Sequence, residues 1–343
     1  MPLPLSILDL APVAAGSPPG EALHNTIDLA RAAEGWGYHR YWLAEHHNLP
    51  AMACPSPEIM IGQVAAATRR IRVGSGGIML PNHSALRIAE AFQVLEALFP
   101  GRIDLGLGRA PGSDPVAAYA LRRGMQSSED FPSQVAELVA FSGGGFPDDH
   151  PFRSVAAEPR GVSLPPLWIL GSSDFGARMA AALGVGFAFA RHMNPRGAEE
   201  VMHLYREGFS PSEALHEPRA ILAVSSVCAD TDERAEALAS SMALAVLRMR
   251  SGRPSALPPP EEAMAYQPNE AEADQLRRYR RAQVVGSPER VGDEIAALVE
   301  STAADEVMAL TMVHDHLERL RSYELLAGIV GPREAQAATA PTT

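Results

Sequence analysis

The chain of 343 residues is long enough for one large domain or two ordinary ones. With 46% hydrophobic and 20% charged residues it has the composition of a globular protein, which excludes global disorder. A net charge of -12 and a complete lack of lysine argue against nucleic-acid and membrane-surface partners, and they exclude a lysine Schiff base or a P-loop.

Short apolar segments alternate along the chain with segments of helical periodicity. This alternation predicts βα units around a parallel sheet. Eight such units in succession favour a closed (β/α)8 TIM barrel, an α/β fold in a single domain, over an open sheet. The predicted strands are residues 3–9, 38–43, 71–76, 102–107, 166–171, 185–190, 220–227 and 305–311.

Two segments interrupt the regular pattern of the predicted barrel, residues 1–330. Residues 143–165 are rich in glycine and proline and are predicted to form an extended loop. Residues 251–285 are rich in proline and acidic residues, and their length fits either a disordered spacer or an active-site lid. The tail, residues 331–343, is predicted to be disordered.

The two cysteines and the N-terminal segment indicate the cellular compartment of the protein. Two cysteines, Cys54 and Cys228, cannot build a disulfide framework, which fits a reducing compartment. The apolar N-terminal run has Asp9 in its middle and no basic start, so it predicts a first strand rather than a signal peptide. No apolar run reaches the length of about 18 residues that a membrane span requires. We therefore expect a cytoplasmic protein.

The carboxyl ends of the strands surround the active site in a parallel barrel. Strand two ends in WLAEHHN, which places Glu45 and His46 at this rim. Strand three ends in GSGGIMLPNH, where Gly76 and Gly77 indicate a special backbone geometry, a close approach by a flat ligand, or a simple bulge.

The next two strand ends suggest a phosphate site. Strand four ends at Arg109, which alone is more typical of a surface ion pair. Strand five ends in Gly171, Ser172 and Ser173 before a helix, where serines cap the helix but free amides also bind phosphate. An arginine at the neighbouring strand end favours phosphate. With the glycines and the histidine, this rim meets the requirements of a flavin mononucleotide.

Metal binding is the alternative use of the histidines. His46 and His47 point in different directions from an extended chain, and no H-E-x-x-H pattern occurs. His314 and His316 could share a face, but a solvated or capping pair is more typical, so we predict no metal site. Asp9, at the end of strand one, is a candidate for lining the pocket or for a capping role.

Several runs together resemble the bacterial luciferase-like, flavin-dependent monooxygenases. They are WLAEHHN, RVGSGGIMLPNHSALRIAEAFQVLEALFPGRIDLGLGRAPG, WILGSS and VVGSPE, and the resemblance spans residues 3 to 328. It implies a TIM barrel that uses reduced FMN and O2, although some relatives use the deazaflavin F420. It also implies a mobile loop late in the barrel, which favours a lid for residues 251–285.

The resemblance further implies roles for individual residues. His46 falls on the catalytic histidine position, with Glu45 beside it to orient or tune it. The two glycines of strand three fall on a non-proline cis peptide behind the flavin ring. Arg109 and the Gly171 to Ser173 turn fall on the phosphate-binding positions.

The predicted function is that of an FMN-dependent monooxygenase acting on an apolar small molecule, such as a secondary metabolite, through a C4a-(hydro)peroxyflavin. An F420-dependent hydride-transferring oxidoreductase and a non-catalytic flavin-binding protein remain alternatives. No G-x-G-x-x-G opens a helix after a strand, so reduced flavin is expected from a separate reductase. Relatives of this kind are commonly dimers, which predicts a homodimer.

Overall fold

Eight parallel strands close into a barrel in the computed structural model, which describes residues 3–122 and 130–330. The strands in chain order are β1 (Leu5–Asp9), β2 (Arg40–Leu43), β3 (Arg72–Ser75), β4 (Ile78–Met79), β5 (Ile103–Gly108), β6 (Leu167–Gly171), β7 (Gly186–Ala190), β8 (Ala220–Cys228), β9 (Val284–Gly286) and β10 (Glu306–Leu310). The ring runs β1, β2, β3, β5, β6, β7, β8 and β10, and it closes because β10 pairs with both β1 and β8.

All eight predicted strands are present, and the prediction of a TIM barrel is confirmed. The sequence reading missed β4, which pairs with β5, and β9, which pairs with the end of β8. These strands have only two and three residues, too few to show a period of two.

Helices cover the outside of the barrel. They are α1 (Pro19–Gly35), α2 (Pro57–Ala67), α3 (Ala85–Leu98), α4 (Pro115–Arg122), α5 (Phe131–Val139), α6 (Asp174–Leu183), α7 (Ala198–Glu207), α8 (Asp232–Arg250), α9 (Pro260–Ala265), α10 (Glu270–Arg281), α11 (Pro288–Thr302) and α12 (His316–Val330). Several begin at a proline, whose missing N–H costs nothing in the first turn.

The strands alternate between two apolar cores. In β2, Tyr41 and Leu43 belong to the core between sheet and helices, whereas Trp42 belongs to the core inside the barrel. This is the two-residue period of a strand that is buried on both faces. Trp42 stacks edge-on against Trp168, with ring centroids 5.5 Å apart, and fills the barrel interior.

A buried ionic network closes the amino-terminal end of the barrel. The Arg40 guanidinium donates to Glu306 (Nε to Oε1, 2.8 Å) and to Asp104 (Nη1 to Oδ2, 2.9 Å), and it lies 4.8 Å from the Trp168 ring centroid. Arg72 donates to Asp104 from the next strand. This end therefore contributes to stability and leaves the carboxyl end free for a site.

Asp9 joins β1 to the outer helices instead of lining the pocket. Its carboxylate is fully buried and accepts hydrogen bonds from Arg319 (2.5 Å), Thr26 (2.8 Å), Tyr41 and the backbone of Ala11 (2.7 Å). Burial raises the pKa of Asp9, but the Arg319 charge and these hydrogen bonds outweigh that effect and lower the pKa below its ordinary value. Asp9 is therefore a structural residue.

The two interruptions differ in structure. After a helical turn at residues 140–144, the chain to residue 166 forms turns and no strand. Residues 251–285 contain α9 and α10, both of which contact α8. In the same segment, Leu257 is fully buried and exchanges backbone hydrogen bonds with Val13 (2.9 Å) and Ala15 (2.8 Å). The predicted disordered tail, residues 331–343, lies outside the described residues.

None of the described helices combines the length and the apolar character that crossing a membrane requires.

Replacing Arg319 by methionine should destabilise the fold by about 3–5 kcal/mol, because it leaves the buried Asp9 carboxylate without its cation. The measurement is urea-induced unfolding. The matched control is Arg321→Met on the same helix, which breaks only half-exposed ion pairs and should cost about 1 kcal/mol or less. Equal stabilities for the two variants would contradict a central role for the buried pair.

Candidate active site

Glu45 is a buried carboxylate at the mouth of the barrel, just past the end of β2. It is paired with His47 (2.8 Å) and with His83 (2.9 Å), and it accepts hydrogen bonds from the Met79 backbone (2.8 Å) and the Asn82 amide (3.0 Å). Three of these partners, Met79, Asn82 and His83, lie at the end of β4 or just after it. Glu45 therefore fixes the rim between β2 and β4.

His46 lies on the other side of the same extended segment. Its backbone N–H donates to Cys54, while the ring atom Nδ1 is buried and has no hydrogen-bond partner. Burial above all, with smaller contributions from the nearby His192 and His47, lowers the pKa of His46 to about 4 against the opposing charge of Glu45. The ring is therefore neutral at neutral pH.

The expected contact between Glu45 and His46 is absent among the described hydrogen bonds. Successive side chains point to opposite sides of an extended chain, so Glu45 meets His47, two residues away, and not its neighbour. Burial raises the pKa of Glu45, but hydrogen bonds from His83 and His47 outweigh it and lower the pKa. Glu45 thus positions the rim and acts on His46 only through its charge.

The glycines after β3 adopt a special backbone geometry. The peptide bond between Gly76 and Gly77 is cis, as the resemblance implied. A Cβ on Gly76 would lie 2.5 Å from Leu8, and one on Gly77 would lie 2.7 Å from the Gly106 carbonyl oxygen. The barrel interior therefore has no room for a side chain at either position.

Arg109 and the turn after β6 are neighbours, as the sequence predicted. The Arg109 guanidinium lies 4.1 Å from the ring centroid of Phe175, in the first turn of α6. It has no carboxylate partner among the described residues. Ser173 is the N-cap of α6 but makes no side-chain capping bond, and the Ser172 carbonyl accepts from Asn194. A cation therefore stands beside the open amino end of a helix.

The sequence reading missed His192, which follows the end of β7. Its Nδ1 is buried without a partner, and its charge interacts with that of His46. Burial lowers the pKa of His192 to about 4, opposed only by a hydrogen bond to the backbone of Ala223. The rule that singled out His46, a titratable residue just past a strand end, would also have found His192.

Apolar side chains fill the interior of the barrel. They belong to the inner core, and they include Leu8, Leu10, Trp42, Ala188, Ile221, Ala223, Met308 and Met312, with Met52 and Met242 at its edge. Leu257 of the late segment packs into the same cluster. The mouth therefore combines a dry floor with a few polar atoms, the usual composition of a small-molecule site.

The histidines after β10 bind protein atoms. His314 contacts the Ala15 carbonyl oxygen (3.2 Å) and His316 contacts Asp28 (3.0 Å). In residues 3–122 and 130–330, no group of three or more His, Cys, Asp or Glu side chains is arranged to hold a metal ion.

Comparison with known proteins decides the family. A family model described as luciferase-like monooxygenase matches residues 3–306. The chain belongs to the luciferase-like monooxygenase family. The chain is 44% identical to an Escherichia coli luciferase-like monooxygenase, covering 93% of this chain and 95% of that protein. It is 35% identical to the N-acetyl-S-alkylcysteine monooxygenase of Bacillus subtilis, covering 95% and 98%.

Solved structures agree with this assignment. The crystal structure of apo-MsnO8 superposes with a TM-score of 0.87 at 38% identity, covering 96% of this chain and 100% of that chain. More distant structures share the fold alone: an FMN complex of a Pseudomonas putida diketocamphane monooxygenase at 20% identity, and an F420-dependent alcohol dehydrogenase at 16%. The family and the fold of this chain are thus those of the luciferase-like monooxygenases.

In Glu45→Gln, the pKa of His83 should fall. Burial lowers the pKa of His83, but the Glu45 hydrogen bond and charge outweigh it and raise the pKa above the ordinary histidine value. Without the Glu45 charge, burial becomes the main influence on the pKa of His83 and lowers it. NMR titration of the histidine rings measures the change, and Asp28→Asn, a carboxylate change far from the cluster, is the control. An unaltered His83 titration would show that Glu45 does not hold this ring.

Proposed function

We propose that the protein is a monooxygenase that uses reduced FMN and O2 to oxidise an apolar small molecule. The observation that carries the proposal is the rim itself. Within the described residues, the Arg109 guanidinium has no carboxylate partner and lies beside the open amino end of α6, and Nδ1 of His46 has no hydrogen-bond partner. A ligand with a phosphate at one end and a planar ring at the other fits both features.

The phosphate end would bind at Arg109 and the turn of Ser172 and Ser173. The first amides of a helix are unsatisfied, and the helix dipole favours an anion there. Arg109 is held over Phe175 and has no carboxylate to compete for its charge among the described residues. The donors therefore match a phosphate monoester.

The ring end would lie over the inner core, against the Gly76 and Gly77 backbone. Neither glycine carries a side chain that would separate a flat ring from the main chain. The apolar residues beneath, including Trp42 and Leu10, keep the floor of the mouth dry.

Bound reduced flavin would supply the electrons that activate oxygen. His46 is neutral, so its ring can take or return a proton at Nδ1 beside the reacting atoms. Glu45 would keep the segment in place through His47 and His83. These residues hold the geometry and exclude water.

FMN is favoured over F420 because of the relatives. The proteins at 35% and 44% identity are named monooxygenases, whereas the F420-dependent enzyme shares 16% identity. F420-dependent hydride transfer is the second candidate function. A passive flavin carrier would have no use for the unpartnered ring nitrogens of His46 and His192.

The inner core indicates an apolar substrate. The relative named an N-acetyl-S-alkylcysteine monooxygenase suggests a compound of that size with an apolar alkyl arm. We propose that residues 251–285 form the lid. Pro254 and Ser255 line a small cavity together with Pro50 and Met52, so this segment lies beside the loop that follows β2.

A separate reductase and a second copy of the chain are the proposed partners. Ile59 on α2 and Leu98 on α3, two helices in contact, are 64% and 65% exposed, an apolar surface suited to a homodimer. Sedimentation velocity distinguishes a dimer from a monomer.

Anaerobic titration followed by oxygen tests the function. Reduced FMN should bind, and admitting O2 should give a transient absorbance distinct from that of free oxidised FMN. The same titration with reduced F420 is the comparison. Tight F420 binding without any response to oxygen would replace the proposal by the hydride-transfer alternative.

Arg109 and His46 should separate binding from chemistry. Arg109→Ala should weaken FMN binding by about tenfold to a hundredfold, because a hydrogen bond to a charged group contributes about 1.5–3 kcal/mol. Arg178→Ala, on the solvent side of α6, is the matched control. His46→Ala should keep its FMN affinity and lose substrate oxygenation. Unchanged affinity in Arg109→Ala would remove that residue from the phosphate site.

A further inference from the structure

His192 lies directly across the barrel mouth from His46. The ring of eight strands places β7 four positions from β2 in either direction, which makes the two strands diametrically opposite. His46 follows β2 by three residues, and His192 follows β7 by two. The two imidazoles are close enough for the charge of one to lower the pKa of the other. A ligand in the mouth therefore passes between them.

The state of the His192 ring follows from its contacts. The Ala223 backbone opposes part of the effect of burial on the pKa of His192, and Nδ1 is buried without a hydrogen-bond partner within the described residues. A neutral imidazole has one protonated and one unprotonated nitrogen, and the unprotonated nitrogen is an acceptor. Burial keeps the ring neutral.

The protein itself offers no partner for this nitrogen within the described residues. His47 and His83 share Glu45, whereas Nδ1 of His46 and Nδ1 of His316, whose Nε2 contacts Asp28, are also buried without a partner. A buried polar atom without a partner is costly in a folded protein, and such an atom calls for an explanation. Since His192 follows a strand at the mouth of the proposed flavin site, a ligand that brings an N–H donor would provide one.

We propose that Nδ1 of His192 accepts a hydrogen bond from a ring N–H of the bound flavin, so that His192 positions the ring from the side opposite His46. This inference rests on the proposed function, because it takes the flavin as the occupant of the mouth. His46 is left to face the reacting side, and His192 sets the position of the ring.

The test is FMN affinity in three variants, for oxidised and for anaerobically reduced FMN. His192→Leu, which removes the acceptor but keeps bulk, should weaken binding by about three- to tenfold, as expected for one neutral hydrogen bond. His192→Asn, whose amide oxygen can accept, should recover part of the loss. His203→Leu on α7, which removes an exposed histidine bonded to the Ser301 carbonyl oxygen, is the matched control.

The two oxidation states identify the donor. The ring N3–H is present in both states, whereas N5–H, and N1–H of the neutral reduced ring, occur only in the reduced one. An effect in both titrations assigns N3–H, and an effect confined to reduced FMN assigns N5–H or N1–H.

A spectroscopic measurement on the wild-type protein removes any dependence on folding of the variants. In ¹⁵N-histidine NMR, the His192 Nδ1 resonance should be that of an unprotonated nitrogen and should shift when FMN binds. An Nδ1 resonance unmoved by either form of FMN, with affinities in His192→Leu equal to the control, overturns the inference while the proposed function stands. If the wild-type protein binds neither form, both fall.

Discussion

The buried carboxylate of Glu45 is the constraint on which the mouth of the barrel depends. A charge in that position is tolerated only when hydrogen bonds replace its lost hydration. Here two imidazoles, an amide and a backbone N–H do so. Because Glu45 and His47 share one side of an extended segment, satisfying the carboxylate turns His46 to the other side. The orientation of the candidate catalytic ring is thus a consequence of how its neighbour is paired.

The two ends of the barrel have different roles: the amino-terminal end stabilises the fold, and the carboxyl end carries the candidate site. At the amino-terminal end, Arg40, Asp104 and Glu306 form a closed set of ion pairs over packed tryptophan rings. Each charge of this set has a partner within the set, so these three side chains are not available to a ligand. At the carboxyl end, by contrast, Arg109 has no carboxylate partner within the described residues, and the Nδ1 atoms of His46 and His192 have no hydrogen-bond partner there. An enzyme of this family needs that asymmetry, since unsatisfied groups are what a cofactor and a substrate can bind.

The charged groups and the neutral groups of the rim lie at different places around the barrel mouth. The cation at Arg109 and the open end of α6 occupy the β5 and β6 side, while His46 and His192 are kept neutral by burial. A ligand with an anionic end and an uncharged ring fits this arrangement, because its anionic end can bind at Arg109 and its ring can lie near the neutral histidines. The backbone of Leu257 in the late segment is tied to the loop after β1 by two hydrogen bonds.

Local patterns in the sequence determined the barrel and most of the rim. The period of each strand and helix is a property of neighbouring residues, so eight βα units, and the places where Arg109 and Ser172 follow a strand, were readable without a structure. The tertiary structure alone decided which groups meet. Asp9 pairs with Arg319, 310 residues away, and Glu45 pairs with His83 rather than orienting His46. His192 becomes notable only because closure of the ring puts β7 opposite β2. Such contacts depend on how the strands close in space, and no period along the chain encodes them.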